Sequence, residues 1–207
     1  MPLSEYHNKY IKRTDEELQR RISVKEEELR KIFSELSYKP TSSKVRVAVL
    51  GCADRRFVKG HKDIFEKLLS NPVVLTTFDI TTDHLQDAEG AVQHDITEPL
   101  PNPPYDITFG HVVLKFIETE KQWAVLKNSY NALCAGGIAI HVFDEEDVTT
   151  DSVRQTDGYF SVPMERWKKL LTENKIKFHE MRWSMTLENI PIPIRGLRGG
   201  VLVLIKD

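Results

Sequence analysis

Two cysteines, Cys52 and Cys134, are all the chain contains. That is too few for a disulfide framework, and their separation is not that of a metal knuckle. No apolar run approaches the length of a membrane span, and the opening Met-Pro-Leu-Ser-Glu-Tyr-His lacks the apolar core of a secretion signal. Neither charge sign dominates: 29 Lys and Arg stand against 31 Asp and Glu, a net charge of −2. Proteins that coat nucleic acid are strongly basic, so nothing in this balance demands a polyanionic partner. His-Glu-x-x-His, paired Cys-x-x-Cys and Gly-x-Ser-x-Gly do not occur, which leaves zinc and serine hydrolysis without support. What is present is 207 residues, 40% hydrophobic and 29% charged, with ten Gly and ten Pro. This is the profile of one globular domain with an appended helix, expected to be reduced, cytoplasmic and without a membrane partner.

Residues 1–44 form the appended part. Thr14 with Glu17 is a capping box, in which hydroxyl and carboxylate each satisfy the other residue's amide. Beyond it Leu18, Ile22, Leu29, Ile32, Phe33 and Leu36 recur at helical spacing. Glu16–Arg20, Glu17–Arg21, Glu26–Arg30 and Glu27–Lys31 add i,i+4 pairs, each worth roughly 0.2–0.5 kcal/mol. The helix is expected to end near Tyr38-Lys39-Pro40 and to lay its apolar stripe on the main domain. A lid over a ligand or a homodimer contact are other uses of that stripe.

Residues 45–207 alternate strands with helices. Val45–Leu50 and Val73–Phe78 are apolar and β-branched, and a weaker strand runs from Gly90 to His94. Asp106 to Val113, Ile138 to Phe143, Lys177 to Met185 and Val201 to Ile205 complete the strands. Helices are expected over Phe57–Ser70, Trp123–Leu133 and Val162–Asn174. Ala135-Gly136-Gly137 reads as the turn before its strand. Such alternation implies an α/β fold, a mainly parallel sheet covered on both faces. No helix fits between the last two strands, so Thr186 to Gly200 is a long hairpin connection and that pair is antiparallel.

Ligands of open α/β sheets bind beyond the carboxyl ends of the strands. Gly51-Cys52-Ala53 follows the first strand, where small residues let backbone amides approach a ligand. Asp79 ends the second, where a carboxylate can accept both hydroxyls of a ribose, and Asp95 follows the third, in reach of an adenine amino group. Together they spell a nucleoside site. Nicotinamide enzymes share two of these features but need Gly-x-Gly-x-x-Gly, whereas this turn continues Asp54-Arg55-Arg56. For a pyrophosphate those charges conflict. The terminal antiparallel pair also does not suit the usual dinucleotide fold.

Taken in order, these stations resemble the class I S-adenosylmethionine-dependent methyltransferases over roughly Val45 to Asp207. Val47-Ala48-Val49-Leu50-Gly51-Cys52-Ala53 stands at the first strand and glycine-rich turn, Asp79 at the ribose acid, and Asp95-Ile96 at the adenine side. Tyr105 to Ile117 looks like the fourth strand and its turn, and Leu133-Cys134-Ala135-Gly136-Gly137-Ile138 like the start of the fifth. The resemblance implies a Rossmann-like three-layer sandwich, a seven-stranded, mostly parallel sheet whose last strand is inserted antiparallel. It implies S-adenosylmethionine as cofactor, held by Gly51, Cys52, Ala53, Asp79, Ile80, Asp95, Ile96, Gly110 and His111. The turn departs from the family's acid-x-Gly-x-Gly-x-Gly, with Val49, Ala53 and Arg55 at the acidic and two glycine places. Losing the acid removes a usual anchor of the methionine amino group. A second reading, motivated by that degenerate turn, is a methyltransferase fold that no longer catalyses and serves as a ligand-binding or protein-interaction module.

Asn102-Pro103-Pro104-Tyr105 spells the tetrapeptide of amino-group methyltransferases, but there it follows the fourth strand and here it precedes one. His111, closing the fourth strand, is the candidate base, because imidazole titrates near neutrality. Asp144-Glu145-Glu146-Asp147 reads as a solvated acidic turn rather than a Mg²⁺ site, since Gly110-His111 supplies no partner carboxylate. For an acceptor, the long connection after Asp144 offers Arg154, Tyr159 and Phe160, and the last hairpin offers Arg195 and Arg198. A small-molecule acceptor is expected, with RNA or protein left open.

Overall fold

The computed structural model describes Asn8 and residues 11–144, 155–156, 159–185 and 197–207. Seven strands form one sheet in the order β3-β2-β1-β4-β5-β9-β8, using β1 (Val45–Leu50), β2 (Val73–Asp79), β3 (Ala91–Gln93), β4 (Tyr105–His111), β5 (Leu133–Asp144), β8 (Lys177–Met185) and β9 (Leu197–Ile205). Between β5 and β8 in sequence, β6 (Gln155–Thr156) and β7 (Tyr159–Phe160) make a separate small hairpin. Helices α1 (Asp15–Glu35), α2 (Arg55–Leu69), α3 (Thr119–Asn131) and α4 (Met164–Glu173) complete the elements. Among the described residues no helix is long and apolar enough to cross a membrane. The chain forms two compact units, Met1–Asp95 and Ile96–Asp207.

In the first unit the capping box of α1 is made as the spacing requires. Thr14 Oγ1 accepts from Glu17 N at 3.2 Å, and Glu17 Oε2 accepts from Thr14 N at 2.9 Å. The helix stops at Glu35, ahead of the expected end, because Leu36 caps it and Ser37 turns to φ 48°. Leu18, Leu29, Ile32 and Phe33 are buried as the stripe predicts, and Val24 and Glu28 join them. Glu17 is taken by the cap, and Glu27 pairs with Arg30 three residues on. Ile22 fills the notch left by Gly60 of α2, where an added Cβ would sit 2.8 Å from its Cδ1. Phe33 stacks on Tyr38 and reaches Phe65 of α2 at 6.3 Å. Asp54 starts α2 two residues earlier than the apolar pattern suggests, its side chain accepting from Arg56 N at 2.9 Å.

Strand β1 is buried along nearly its whole length and pairs in parallel with β2, from Val45↔Val73 to Leu50↔Phe78. Strand β3 joins β2 through Thr77↔Ala91. Gly90 precedes it at φ 81°, and a Cβ there would lie 2.4 Å from the Leu75 carbonyl oxygen. Only glycine fits that approach.

In the second unit β4 and β5 run parallel, and β9 lies antiparallel to both β5 and β8. The terminal strands therefore have the inserted, antiparallel arrangement expected. Two boundaries differ from the sequence reading. Ala135-Gly136-Gly137 is not a turn ahead of β5 but an irregularity inside it: pairing slips between Tyr105↔Leu133 and Ile107↔Ile138, with Gly136 at φ 76°. Strand β9 begins at Leu197, so residues assigned to the connection belong to the sheet. Gly200 is required there, since a Cβ would collide with the Phe143 ring. Asn102 to Pro104 precede β4, and Tyr105, its first residue, donates its hydroxyl to the Pro101 carbonyl at 2.7 Å.

Candidate functional site

The first unit gathers its polar side chains where β1 and β2 end. Gly51 leaves β1 at φ 76°, its N–H on the Phe78 carbonyl at 2.7 Å. The next amide, Cys52 N, donates to Asp79 Oδ2 at 2.8 Å, and Thr81 N donates to Asp79 Oδ1 at 3.3 Å. Asp79 is only 7% exposed, so these bonds orient a buried carboxylate across the turn. An ionised carboxylate has about four acceptor positions. Two amides leave about half of them for hydroxyl donors.

His84 grips the same turn from its other side. Its Nε2 lies 2.6 Å from the Cys52 carbonyl oxygen and 4.0 Å from Asp79 Oδ2. A carbonyl only accepts, so Nε2 carries the proton. Burial pushes the Cys52 thiol up to about 12, which makes it a packing group rather than a nucleophile. Beyond β2, Ile80 presents an apolar side chain 56% exposed, its carbonyl held by Gln93 Nε2. Asp95 is exposed and Ala53 half-buried. Six of the expected cofactor residues, Gly51, Cys52, Ala53, Asp79, Ile80 and Asp95, thus belong to this unit.

The charges that made the turn ambiguous are engaged with each other. Arg56 forks onto Asp54 through Nε and Nη2 at 2.9 and 2.7 Å, and its Nη1 reaches Asp15 Oδ1 at 2.7 Å and the Arg13 carbonyl at 3.2 Å. Burial opposes ionisation of Asp54, but the side-chain and backbone bonds from Arg56 win and hold its carboxyl below the usual range. Arg56 is therefore turned toward the start of α1, and Arg55 is exposed.

Two residues here have no signature in the sequence reading. His84 lies in the short 3₁₀ turn Asp83–Leu85, with no motif around it. Lys25, one of many charges on α1, places Nζ 5.0 Å from the centroid of Phe57, and burial lowers it to about 8. A buried turn neighbour and a cation over a ring are tertiary facts, and only the charge count of α1 hinted at the second.

The second unit holds Ile96, Gly110 and His111. Ile96 is buried. Gly110 is confined between Val113 Cγ1 and His141 Nδ1, at 3.0 and 3.2 Å from a hypothetical Cβ. His111 is half-buried, 6.0 Å from Phe109 by ring centroids. Val112 follows at φ 56°, and a β-branched residue there stores strain of about 1–3 kcal/mol. Such strain holds when surroundings over-determine it, here through Val112 N on the Val142 carbonyl at 2.7 Å.

Downstream, Lys115 Nζ lies 4.8 Å over the Tyr159 ring, and Phe116 meets that ring edge-on at 5.3 Å. The fold thus brings Tyr159 to the turn after β4, while Phe160 pairs with Gln155 in the hairpin. Gln122 fastens the region: Nε2 donates to the carbonyls of Leu114, Ile117 and Ser161 at 3.0, 3.1 and 2.9 Å, and Oε1 accepts from Trp167 Nε1 at 3.1 Å. Arg154 and Arg195 lie outside the described residues. Arg198 stands in β9 opposite Ser184, its side chain outside them too. Asp144 ends β5, and Glu145 to Asp147 are likewise not described.

His141, within β5, is occupied structurally. Ser129 Oγ donates to the Leu126 carbonyl at 2.8 Å, so its contact with His141 Nε2, also 2.8 Å, is donated by the imidazole. Burial lowers this histidine to about 4, and it stays neutral at ordinary pH.

By sequence, no protein-family model and no curated protein matches the chain. By structure it is similar to an S-adenosylmethionine-dependent methyltransferase from Clostridium acetobutylicum, with TM-score 0.59 and 10% identity over 88% of this chain and 90% of that one. A SAM-dependent methyltransferase from Archaeoglobus fulgidus gives TM-score 0.59 and 12% identity over 87% and 94%. The N-methyltransferase NodS from Bradyrhizobium japonicum gives 0.53 and 14% over 90% and 97%. The chain shares the fold of these methyltransferases, a Rossmann-like α/β arrangement around a seven-stranded sheet in which β9 runs antiparallel to both its neighbours.

Proposed function

We propose that this protein is an S-adenosylmethionine-dependent methyltransferase, and that Gly51, Cys52, Ala53, Asp79, Ile80 and Asp95 hold the adenosine part of the cofactor. The observation that carries the reading is the carboxylate of Asp79, buried, oriented by Cys52 N–H and Thr81 N–H, and still able to accept two hydroxyl protons. The turn also fits a cationic ligand better than its sequence suggested, because Arg56 is drawn onto Asp54 and Asp15.

The cofactor supplies an already activated methyl group, so the protein's main task is placement, which can contribute about 7–11 kcal/mol. Asp79 orients the ribose, the Cys52 and Ala53 backbone lines the approach, and Ile80 offers an apolar surface to the base. His111 takes the acceptor's proton where the acceptor must lose one, and the strained Val112 keeps its backbone in place. Tyr159, held by Lys115 and Phe116, is the aromatic contact for the acceptor.

Calorimetric titration with S-adenosylmethionine and S-adenosylhomocysteine tests the reading. Both bind the wild type, and Asp79→Ala weakens binding about 10- to 150-fold with an unchanged circular dichroism spectrum. Binding of NAD(H) in their place, or equal affinity in the variant, refutes the assignment. A pH profile of kcat/KM that keeps its near-neutral limb in His111→Gln removes the base role.

A further inference from the structure

We propose that β8, the strand that ends the sheet, is a docking edge for a second copy of this chain, whose own β8 lies antiparallel to it about a two-fold axis at Met181. The inference goes beyond the methyl-transfer reading and does not depend on it.

The edge itself is the first observation. The sheet order closes on β8, and among the described residues no strand lies beyond it. Natural edges are kept short, broken by proline or bent by a bulge. At the other end of the order, β3 has three residues. Strand β8 has nine, with neither proline nor glycine, and its register against β9 runs unbroken from Lys177↔Ile205 to Met185↔Leu197.

The second observation is the phase of the backbone. Lys206, continuing β9, donates its N–H to the Gly137 carbonyl at 3.0 Å and accepts from Gly136 N at 2.7 Å, so it turns both groups toward β5. Backbone groups alternate in direction along an antiparallel strand. Ile205, Val203 and Val201 therefore turn theirs to β8, where they meet Lys177, His179 and Met181. The backbone groups of Phe178, Glu180, Arg182 and Ser184 point the other way, along the outer edge. A second β8 added there must set even-numbered residues opposite even-numbered ones.

Charge then picks the register. Glu180 and Arg182 stand mid-strand, with Arg182 Nε donating to Glu180 Oε1 at 2.7 Å. Glu180 also holds Lys168 of α4 at 2.7 Å, and the Arg182 side chain is 54% exposed. A two-fold axis at position 180 sets Glu180 against its own copy, and one at 182 does the same to Arg182; like charges directly opposite are destabilising. An axis at Met181 sets Glu180 opposite the copy's Arg182 twice over, an alternating square of charge. Met181 is also the midpoint of β8, so this register pairs the whole strand. A two-fold interface must be self-complementary, and β8 meets that condition.

Sedimentation velocity on the full chain over a concentration series tests the inference. The wild type associates reversibly to a dimer. Glu180→Arg and Arg182→Glu each bring like charges face to face, and each weakens the dimer about 10- to 100-fold with an unchanged circular dichroism spectrum. Mixing the two variants restores association, because a doubly basic strand then faces a doubly acidic one. Arg182→Glu, at the more exposed position, decides the point alone if Glu180→Arg does not fold. A wild type that stays monomeric throughout overturns the inference and leaves the edge to some other strand. So does a dimer that Arg182→Glu does not weaken, or a mixture of folded variants that stays monomeric.

Discussion

The two compact units bury polar side chains to different ends. Up to Asp95, the buried Asp54, Asp79 and His84 sit at strand and helix ends and seize backbone groups of turns. From Ile96 on, Thr119, Gln122, Ser129 and His141 lie within or against α3 and tie scaffold to scaffold. Most buried polar groups find partners, and in these two sets the partners differ. The Gln122 side chain spends its amide on four protein groups, whereas Asp79 meets two amides and keeps lone pairs in hand. A polar group with unused valence at a strand end is what a binding site needs; a saturated one inside a helix layer is what a scaffold needs.

The sharpest way to break this contrast is Gln122→Leu. It strands the Trp167 N–H and three carbonyl contacts, so the urea midpoint should fall by an equivalent of about 3–4 kcal/mol while affinity for S-adenosylhomocysteine stays within threefold. A loss of affinity as large as that of Asp79→Ala would erase the distinction between scaffold and site. Next comes pH. Burial depresses His141 to about 4 from an ordinary 6.5, so the unfolded chain binds the proton first as pH drops. Stability from this group is full above about 6.5 and declines down to about 4, by roughly 3 kcal/mol in total. His141→Gln should flatten that part of the pH–stability curve, and an unchanged slope would show the ring to be solvated.

Smaller effects probe the first unit. Arg56→Ala removes the fork on Asp54 and the link to Asp15, and because the arginine is one-third exposed the loss should be about 1 kcal/mol. Since α1 and the turn share that arginine, ligand affinity should drop with it, about threefold. Thr14→Ala deletes the cap of α1 and should reduce the melting free energy by about 1 kcal/mol, with Thr14→Ser restoring it. If neither variant moves ligand binding, α1 is a passive cover.

Local patterns proved readable where the determining bonds are local or the burial is two-sided. Strand β1 and strand β8 have the bounds their residue types suggest, and Thr14 with Glu17 spells its own hydrogen bonds. Asp79 could be placed at a strand end because the apolar run before it stops there. The bulge at Gly136 was not readable, because a glycine pair suits a turn and an irregular strand equally until β4 supplies the register. Nor was the early start of β9, where Gly200 pairs opposite Phe143 and its bare backbone leaves room for that ring.

Composition, spacing and strand-end residues were enough to set the α/β class, the reversed final strand, the helical extension and the carboxylate at position 79. Only the folded chain decided what each charge near the turn does. Arg56 turns to Asp54 and Asp15, His84 arrives from a turn without a motif, and Lys25 comes to rest on Phe57. The reason is physical: periodicity encodes which face a residue occupies, whereas charge pairing depends on distances between segments far apart in the chain.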